Sequence, residues 1–131
     1  ILGRDGFSLN CTVDGIKVDF IRHRYPLLGD LIVEDGIDIW SAKDIAAAKV
    51  SAITKRGAKK DFFDLAELLK HFSLEEALSF YEQKYPVAER FMALKSLSWF
   101  EDAEGDPDPK SLRERSWDEV KATVLKAVVE L

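Results

Sequence analysis

One carboxylate interrupts an otherwise apolar run: Asp19 stands between Val18 and Phe20 in IKVDFI (16–21). Aspartate is depleted in strands and adds nothing to a core, so its place there has two readings. Either it faces solvent on the side opposite Val18 and Phe20, or it is a hard-oxygen ligand for Mg²⁺, which proteins hold through one or two carboxylates plus water and substrate phosphates. A second group begins at Lys49. Lys49 and Arg56 are seven residues apart with Ala52 between them, and on a helix all three share one face. A small residue in the middle lets a ligand come close, while lysine supplies a point charge and arginine a planar fork for phosphate. The alternative is that both side chains bury their stems at the rim of a core and keep their charges in water. Lys60, Asp61 and Asp64 follow. A first-turn acid such as Asp61 is favoured by the helix dipole. Asp64, three residues on, is placed to hold Arg56 or Lys60 across Gly57, and so to fix a phosphate-binding side chain from behind.

Other chemistries lack their residues. His23 and His71 lie 48 residues apart without the spacing of a zinc site. Cys11 has no basic neighbour in sequence and reads as a strand residue rather than a nucleophile. No Walker loop, Gly-x-Ser-x-Gly or Gly-x-Gly-x-x-Gly occurs. The apolar stretches fall far short of the ~20 residues of a bilayer span. A single cysteine, with no basic and then apolar leader at the start, points to a reducing cytoplasm. The sequence starts with Ile1 and its one methionine is Met92, so a processed or partial chain is expected.

The formal net charge of the 131 residues is −5, yet Lys49, Lys55, Arg56, Lys59 and Lys60 sit together with no acid among them. That local +5 leaves −10 for the rest of the chain. One compact basic cluster on an acidic protein suits a phosphate or a nucleic-acid end better than general coating of DNA.

Phe7 to Val13 and Ile16 to Ile21 alternate as strands around Asp14-Gly15, a hairpin turn signal. Leu31 to Val33 and Ile37 to Trp40 flank Asp35-Gly36 as a second, smaller hairpin or the edge of the same sheet. Ser41 is placed to cap a helix over Ala42 to Arg56 that Gly57 stops, and a second helix is expected over Asp61 to Phe72. Ser73 and Glu76 form a capping box for a third helix that ends before Pro86. A fourth is expected over Val87 to Phe100, then a loop from Glu101 to Pro109, then a final helix opened by Ser116 and Glu119. Phe62, Phe63, Phe80, Tyr81, Phe91 and Trp99 recur at helical intervals and are expected in the core, with Trp40 partly exposed at a strand end. The fold class is therefore α+β: a small antiparallel or mixed sheet followed by a bundle of about five helices. Residues 1–40 form the β-rich part and 41–131 the helical part, packed as one domain.

Three stretches, GIKVDFI (15–21), the run from Glu34 to Phe72, and SLEEALSFYEQKYP (73–86), resemble the nucleotidyltransferase AbiEii/AbiGii toxin family. The specific signature is Lys, Ala, Arg, Lys/Arg-Asp and Asp-Leu at fixed spacing, met by Lys49, Ala52, Arg56, Lys60, Asp61, Asp64 and Leu65. The family is similar to the polymerase-β-type nucleotidyltransferases, in which three carboxylates hold Mg²⁺ for transfer of a nucleoside monophosphate. The resemblance implies that the sheet is a remnant of a nucleotidyltransferase sheet and that Asp19 is the third carboxylate, a catalytic metal ligand. It further implies that Lys49 meets the phosphates of a nucleoside triphosphate as a catalytic residue, with Arg56 and Lys60 as phosphate-binding partners supported by Asp61 and Asp64. Implied partners are an RNA or protein acceptor and an antitoxin protein, in a toxin–antitoxin or abortive-infection phage-defence pair. The chain departs from the pattern in having no Gly-Ser loop and no Asp-x-Asp strand ahead of Asp19; Asp5-Gly6 is too close to the start, and Asp106-Pro107-Asp108 follows the helices. Catalysis is therefore expected only if those motifs lie upstream of Ile1 or on another chain. Alternatives are a non-catalytic module that binds a nucleotide or RNA end, and an interaction protein with a decayed site. An open sheet edge invites pairing and points to a homodimer.

Overall fold

The structure, a computed structural model, describes residues 3–4, 8–110 and 115–131. Five strands lead into helices: β1 (Gly3–Arg4), β2 (Ser8–Val13), β3 (Ile16–Ile21), β4 (Ile32–Glu34), β5 (Ile37–Ile39), α1 (Ala42–Lys55), α2 (Lys59–Leu68), α3 (Leu74–Lys84), α4 (Arg90–Leu97), α5 (Glu101–Glu104) and α6 (Trp117–Val129). This is the α+β class expected. Phe7, where the first strand was expected to begin, and Asp5-Gly6 lie outside the described residues.

The hairpins follow from their turns. Asp14 (φ 51°) and Gly15 (φ 79°) both take the left-handed conformation that a two-residue type I′ connection requires. The turn sets the antiparallel register of β2 and β3, with Val13 opposite Ile16, Cys11 opposite Val18 and Asn10 opposite Asp19. Asp35 and Gly36 repeat the device between β4 and β5. These two strands form a sheet of their own, separate from the β1-β2-β3 sheet. The apolar side of the first hairpin stays open, with Val13, Ile16 and Phe20 exposed.

The core is built by the helices. Helix α1 lies at its centre and packs on α2, α3 and α4, while α6 closes over α2 and α4. Ala46, Ala47, Val50 and Ile53 give α1 a narrow buried face that admits close neighbours, and Phe62, Leu65, Leu78, Leu97, Val120 and Val124 fill the space around it. Phe62 and Trp117 meet edge to face, with ring centroids 5.8 Å apart.

Several boundaries differ from expectation. Helix α2 ends at Leu68, not Phe72, because Lys70 and His71 donate to Glu67 and Leu68 in turns that tighten before Ser73 caps α3. Helix α4 starts at Arg90 rather than Val87, where Arg90 clamps Glu75 at 2.7 Å and also holds Glu82. It ends at Leu97, and only Ala93 and Leu97 of its residues are buried. Phe91 (76% exposed) and Trp99 (54% exposed) are therefore not core residues. The expected loop after α4 contains the short α5, a helix beyond the five expected, which buries Ala103 and presents Glu104 to the Trp117 indole (3.0 Å) and to Lys121 (2.9 Å).

One polar interaction ties the bundle together. The Asp44 and Lys84 side chains are both wholly buried and meet at 2.7 Å. Lys84 Nζ also donates to the Pro26 carbonyl at 2.8 Å and lies 4.5 Å from the centre of the Trp40 ring. Asp44 accepts from the Leu28 amide, the Gly29 amide and the Ser41 hydroxyl, so its oxygens are saturated. Gly29 is needed for this approach, since a Cβ there would stand 2.7 Å from the Ser41 hydroxyl. Burial alone would raise the Asp44 carboxyl, but Lys84, Ser41 and the two amides outweigh it and hold the group far below the usual carboxylate range. Burial and the nearby Lys84 ammonium lower the His23 imidazole, opposed by Asp44.

Lys84→Met strands a buried carboxylate and is expected to cost about 3–5 kcal/mol in urea denaturation. Because the folded-state carboxyl of Asp44 is depressed, its contribution is full above the unfolded value of about 4 and is lost as pH falls below it. The urea midpoint of the unaltered protein should drop in that acid window, and drop less in Lys84→Met.

Candidate functional site

The site is assembled where α1 ends and α2 begins. Ser41 caps α1 by accepting from the Asp44 amide at 3.3 Å, and Gly57 (φ 59°) breaks the helix in the left-handed conformation that glycine takes without strain. The chain then turns back, so that the first turn of α2 lies beside the last two turns of α1. Helix α2 has no side-chain cap of its own from Ala58. Asp106, distant in sequence, accepts from the Lys59 amide at 3.0 Å and takes that role.

This hairpin of helices brings Lys49, Arg56, Asp61 and Asp64 together. Asp61 is the hub: it is 1% exposed, and it accepts from Lys49 Nζ at 3.3 Å and from Arg56 Nε and Nη2 at 3.3 Å each. Asp64, 54% exposed, takes Lys49 at 2.7 Å. The expectation that Asp64 holds Arg56 or Lys60 is therefore corrected: among the described residues Asp61 anchors Arg56, and Asp64 pairs with Lys49. The cause is the helical turn. Asp61, in the first turn of α2, faces α1, whereas Asp64 lies farther out, at the mouth of the pair.

Electrostatically the cluster is two cations on two carboxylates. Burial pulls the Lys49 ammonium down, but Asp64 and Asp61 more than offset it and raise it above the ordinary lysine value. Lys49 is thus a firm cation at neutral pH, held in place and still 26% exposed. Arg56 is more open at 58% exposed, and among the described residues its hydrogen bonds to Asp61 use Nε and Nη2, with Nη1 left for a further acceptor. Ala52, between them on α1, is half-buried.

The other residues of interest are distributed differently. Lys60 is exposed on the solvent side of α2. Lys59, part of the basic run, is buried in a structural role: its ammonium meets Asp108 at 3.0 Å and stands 5.2 Å from the Trp117 ring centre. Asp19 is exposed in β3 and accepts from Asn10 Nδ2, its cross-strand neighbour, at 2.7 Å. No hydrogen bond or ion pair among the described residues links Asp19 to the Lys49 cluster, and the described residues contain no group of three or more His, Cys, Asp or Glu able to hold a metal ion. Asp19 offers one hard oxygen ligand and does not by itself make a metal centre. The residues missed by sequence reasoning are Asp44 and Lys84, which set the position of α1; no spacing signal links them, because they are 40 residues apart.

Residues 5–129 match the family model described as the nucleotidyl transferase AbiEii toxin of a type IV toxin–antitoxin system. The chain belongs to the AbiEii family. It is also similar to an uncharacterized protein of Aquifex aeolicus (strain VF5), 38% identical over 127 residues. That match covers 94% of this chain, which spans 61% of the length of this curated relative. No solved structure matches. The whole four-residue cluster lies within the span matched to AbiEii, and Leu65, the last residue of the signature run, is fully buried. No helix among the described residues is long and apolar enough to cross a membrane.

Asp61→Ala is expected to destabilise the AbiEii chain by about 1–3 kcal/mol, since it releases two cations from a buried acceptor. Asp64→Ala, at an exposed pair, should cost under about 1 kcal/mol. Urea denaturation of the two variants side by side checks this order.

Proposed function

We propose that the protein acts as an AbiEii-type nucleotidyltransferase toxin, transferring a nucleoside monophosphate from a nucleoside triphosphate to an RNA or protein acceptor. The observation that carries this reading is the pairing of Lys49 and Arg56 on one face of α1 with the buried Asp61, inside the span matched to the family. A lysine point charge and an arginine fork, fixed from behind, are suited to a polyphosphate. In the transfer, an acceptor hydroxyl oxygen forms a bond to the α-phosphorus and gives up its proton to water, the bond between that phosphorus and the bridging oxygen breaks, and pyrophosphate leaves. Lys49 would meet the phosphates on which negative charge builds, and Arg56 would orient them through Nη1, with Lys60 as an outer cation. Asp61 and Asp64 are positioning residues that hold the cations.

We assign Asp19 to the Mg²⁺ site as one ligand of a set that the described residues do not complete. When bound, such a metal stabilises the attacking and leaving oxygens. An antitoxin partner and a cytoplasmic setting belong to the same reading. Residues 1–40 and 41–131 are read as one domain, supported by the bonds from Lys84 to Pro26 and from the Leu28 and Gly29 amides to Asp44.

In the intact protein, Lys49→Ala and Asp19→Ala are each expected to lower transfer of a radiolabelled nucleoside monophosphate at least about 100-fold with an unchanged circular-dichroism spectrum. Retained activity in either variant would overturn the role given to that residue. Nucleotide binding without any transfer by the unaltered protein would favour a non-catalytic binding module instead.

A further inference from the structure

Beside the Lys49 cluster, a cleft of about 520 Å³ opens between the C-terminal end of α1, α4 and the segment that leads into α5. Its walls include Lys55, Arg56, Met92, Lys95, Trp99 and Asp102. Three of these are cations and one is an acid, in a chain whose formal net charge is −5. Arg56 belongs both to this wall and to the cluster held by Asp61. A second hollow of about 320 Å³ shares Lys55 and Met92 with the first and extends to Tyr25 and Tyr85.

Ile53 and Tyr85 on these walls belong to the core, but Trp99, Met92, Lys55 and Lys95 stay exposed at its edge. Trp99 leaves α4 just after its last turn and keeps 54% of its surface in water, and among the described residues no other ring packs on it. Met92 is 45% exposed on the same side. Neither Lys55 nor Lys95 has a carboxylate partner among the described residues, whereas Lys49, Lys59, Lys84 and Lys121 all do. An exposed indole flanked by unpaired ammonium groups is a poor choice for stability. It is the combination by which proteins hold single-stranded nucleic acid: a ring face for a base and cations for the phosphates on either side.

We infer that this groove binds the single-stranded end of an RNA acceptor, with one base stacked on Trp99, the next nucleotide toward Tyr25, and the intervening phosphates on Lys55 and Lys95. The two hollows each fall within the ~300–1,000 Å³ typical of small-ligand sites, and their succession around the shared Lys55 fits consecutive nucleotides rather than one free nucleotide. Arg56, at the boundary, brings the end of that strand beside the phosphates held at Lys49. The inference rests on the nucleotidyltransferase reading above and selects RNA over protein as the acceptor.

Binding of a fluorescein-labelled single-stranded oligoribonucleotide of about eight nucleotides to the intact protein, followed by anisotropy at several salt concentrations, tests it. Trp99→Ala is expected to weaken binding about 5- to 100-fold and Trp99→Phe less than about 3-fold, since a phenyl ring still stacks. The double change Lys55→Gln and Lys95→Gln should reduce the slope of log affinity against log salt by about 1.4. All these side chains are exposed, and circular dichroism verifies that the variants fold. Binding of Mg·ATP, measured in parallel by calorimetry with Lys49→Ala as the control, separates the two levels of the argument. Normal Mg·ATP binding with no RNA binding, or with RNA binding indifferent to Trp99, overturns the groove and leaves the nucleotidyltransferase reading with a protein acceptor or another RNA surface. RNA binding that depends on Trp99 with no Mg·ATP binding supports the groove while the nucleotide reading falls.

Discussion

Two opposite charges with no access to water hold this molecule in register. Asp44 and Lys84 exchange a hydrogen bond at 2.7 Å inside the bundle, and the surroundings leave neither with an unmet demand: the ammonium also meets a carbonyl and an aromatic face, and the carboxylate also receives two amides and a hydroxyl. Desolvating two ions is costly, so a pair of this kind persists only where its geometry is well satisfied. The constraint it imposes is positional. It fixes the first turn of α1 against the last turn of α3 and pins the 26–29 segment over both, and thereby sets where the far end of α1 emerges.

That far end carries the candidate site residues. Lys49 lies about one turn beyond Asp44 on the same rigid rod, and Arg56 closes it just before Gly57 reverses the chain. Because α1 is held at one end by a buried ion pair and packed along its length by α2, α3 and α4, the two cations meet Asp61 in a defined place. The second ion cluster differs from the first in exposure. Asp61 is buried, but its partners reach the surface, so the cluster can accept a ligand without opening the core.

The basic run from Lys49 to Lys60 is uniform along the chain and divided in space. Lys59 turns inward to Asp108 and the Trp117 ring and helps secure the entry to α2. Lys49 and Arg56 are shared with carboxylates of α2, and Lys55 joins Lys95 and Trp99 along a groove. A local charge of +5 thus becomes a structural anchor, a polar cluster and a wall of a cleft, each with different chemistry available to it.

Features governed by a few neighbouring residues were legible in the sequence. Asp14-Gly15 and Asp35-Gly36 make their turns because those residues tolerate positive φ, Ser41, Ser73 and Ser116 cap helices through amides three residues on, and the Lys49 to Arg56 spacing places both on one helical face. These are local matters of sterics and hydrogen-bond reach. Only the tertiary structure decided which aromatics are buried, because α4 is short and its one buried stripe, Ala93 and Leu97, is selected by what packs on it, leaving Phe91 and Trp99 outside. It also decided which charges go inside: Lys84 finds Asp44 across 40 residues and Lys59 finds Asp108 across 49. A lysine looks the same in sequence whether it ends in water or on a buried carboxylate, and the choice depends on the desolvation and partner geometry that the folded chain alone provides.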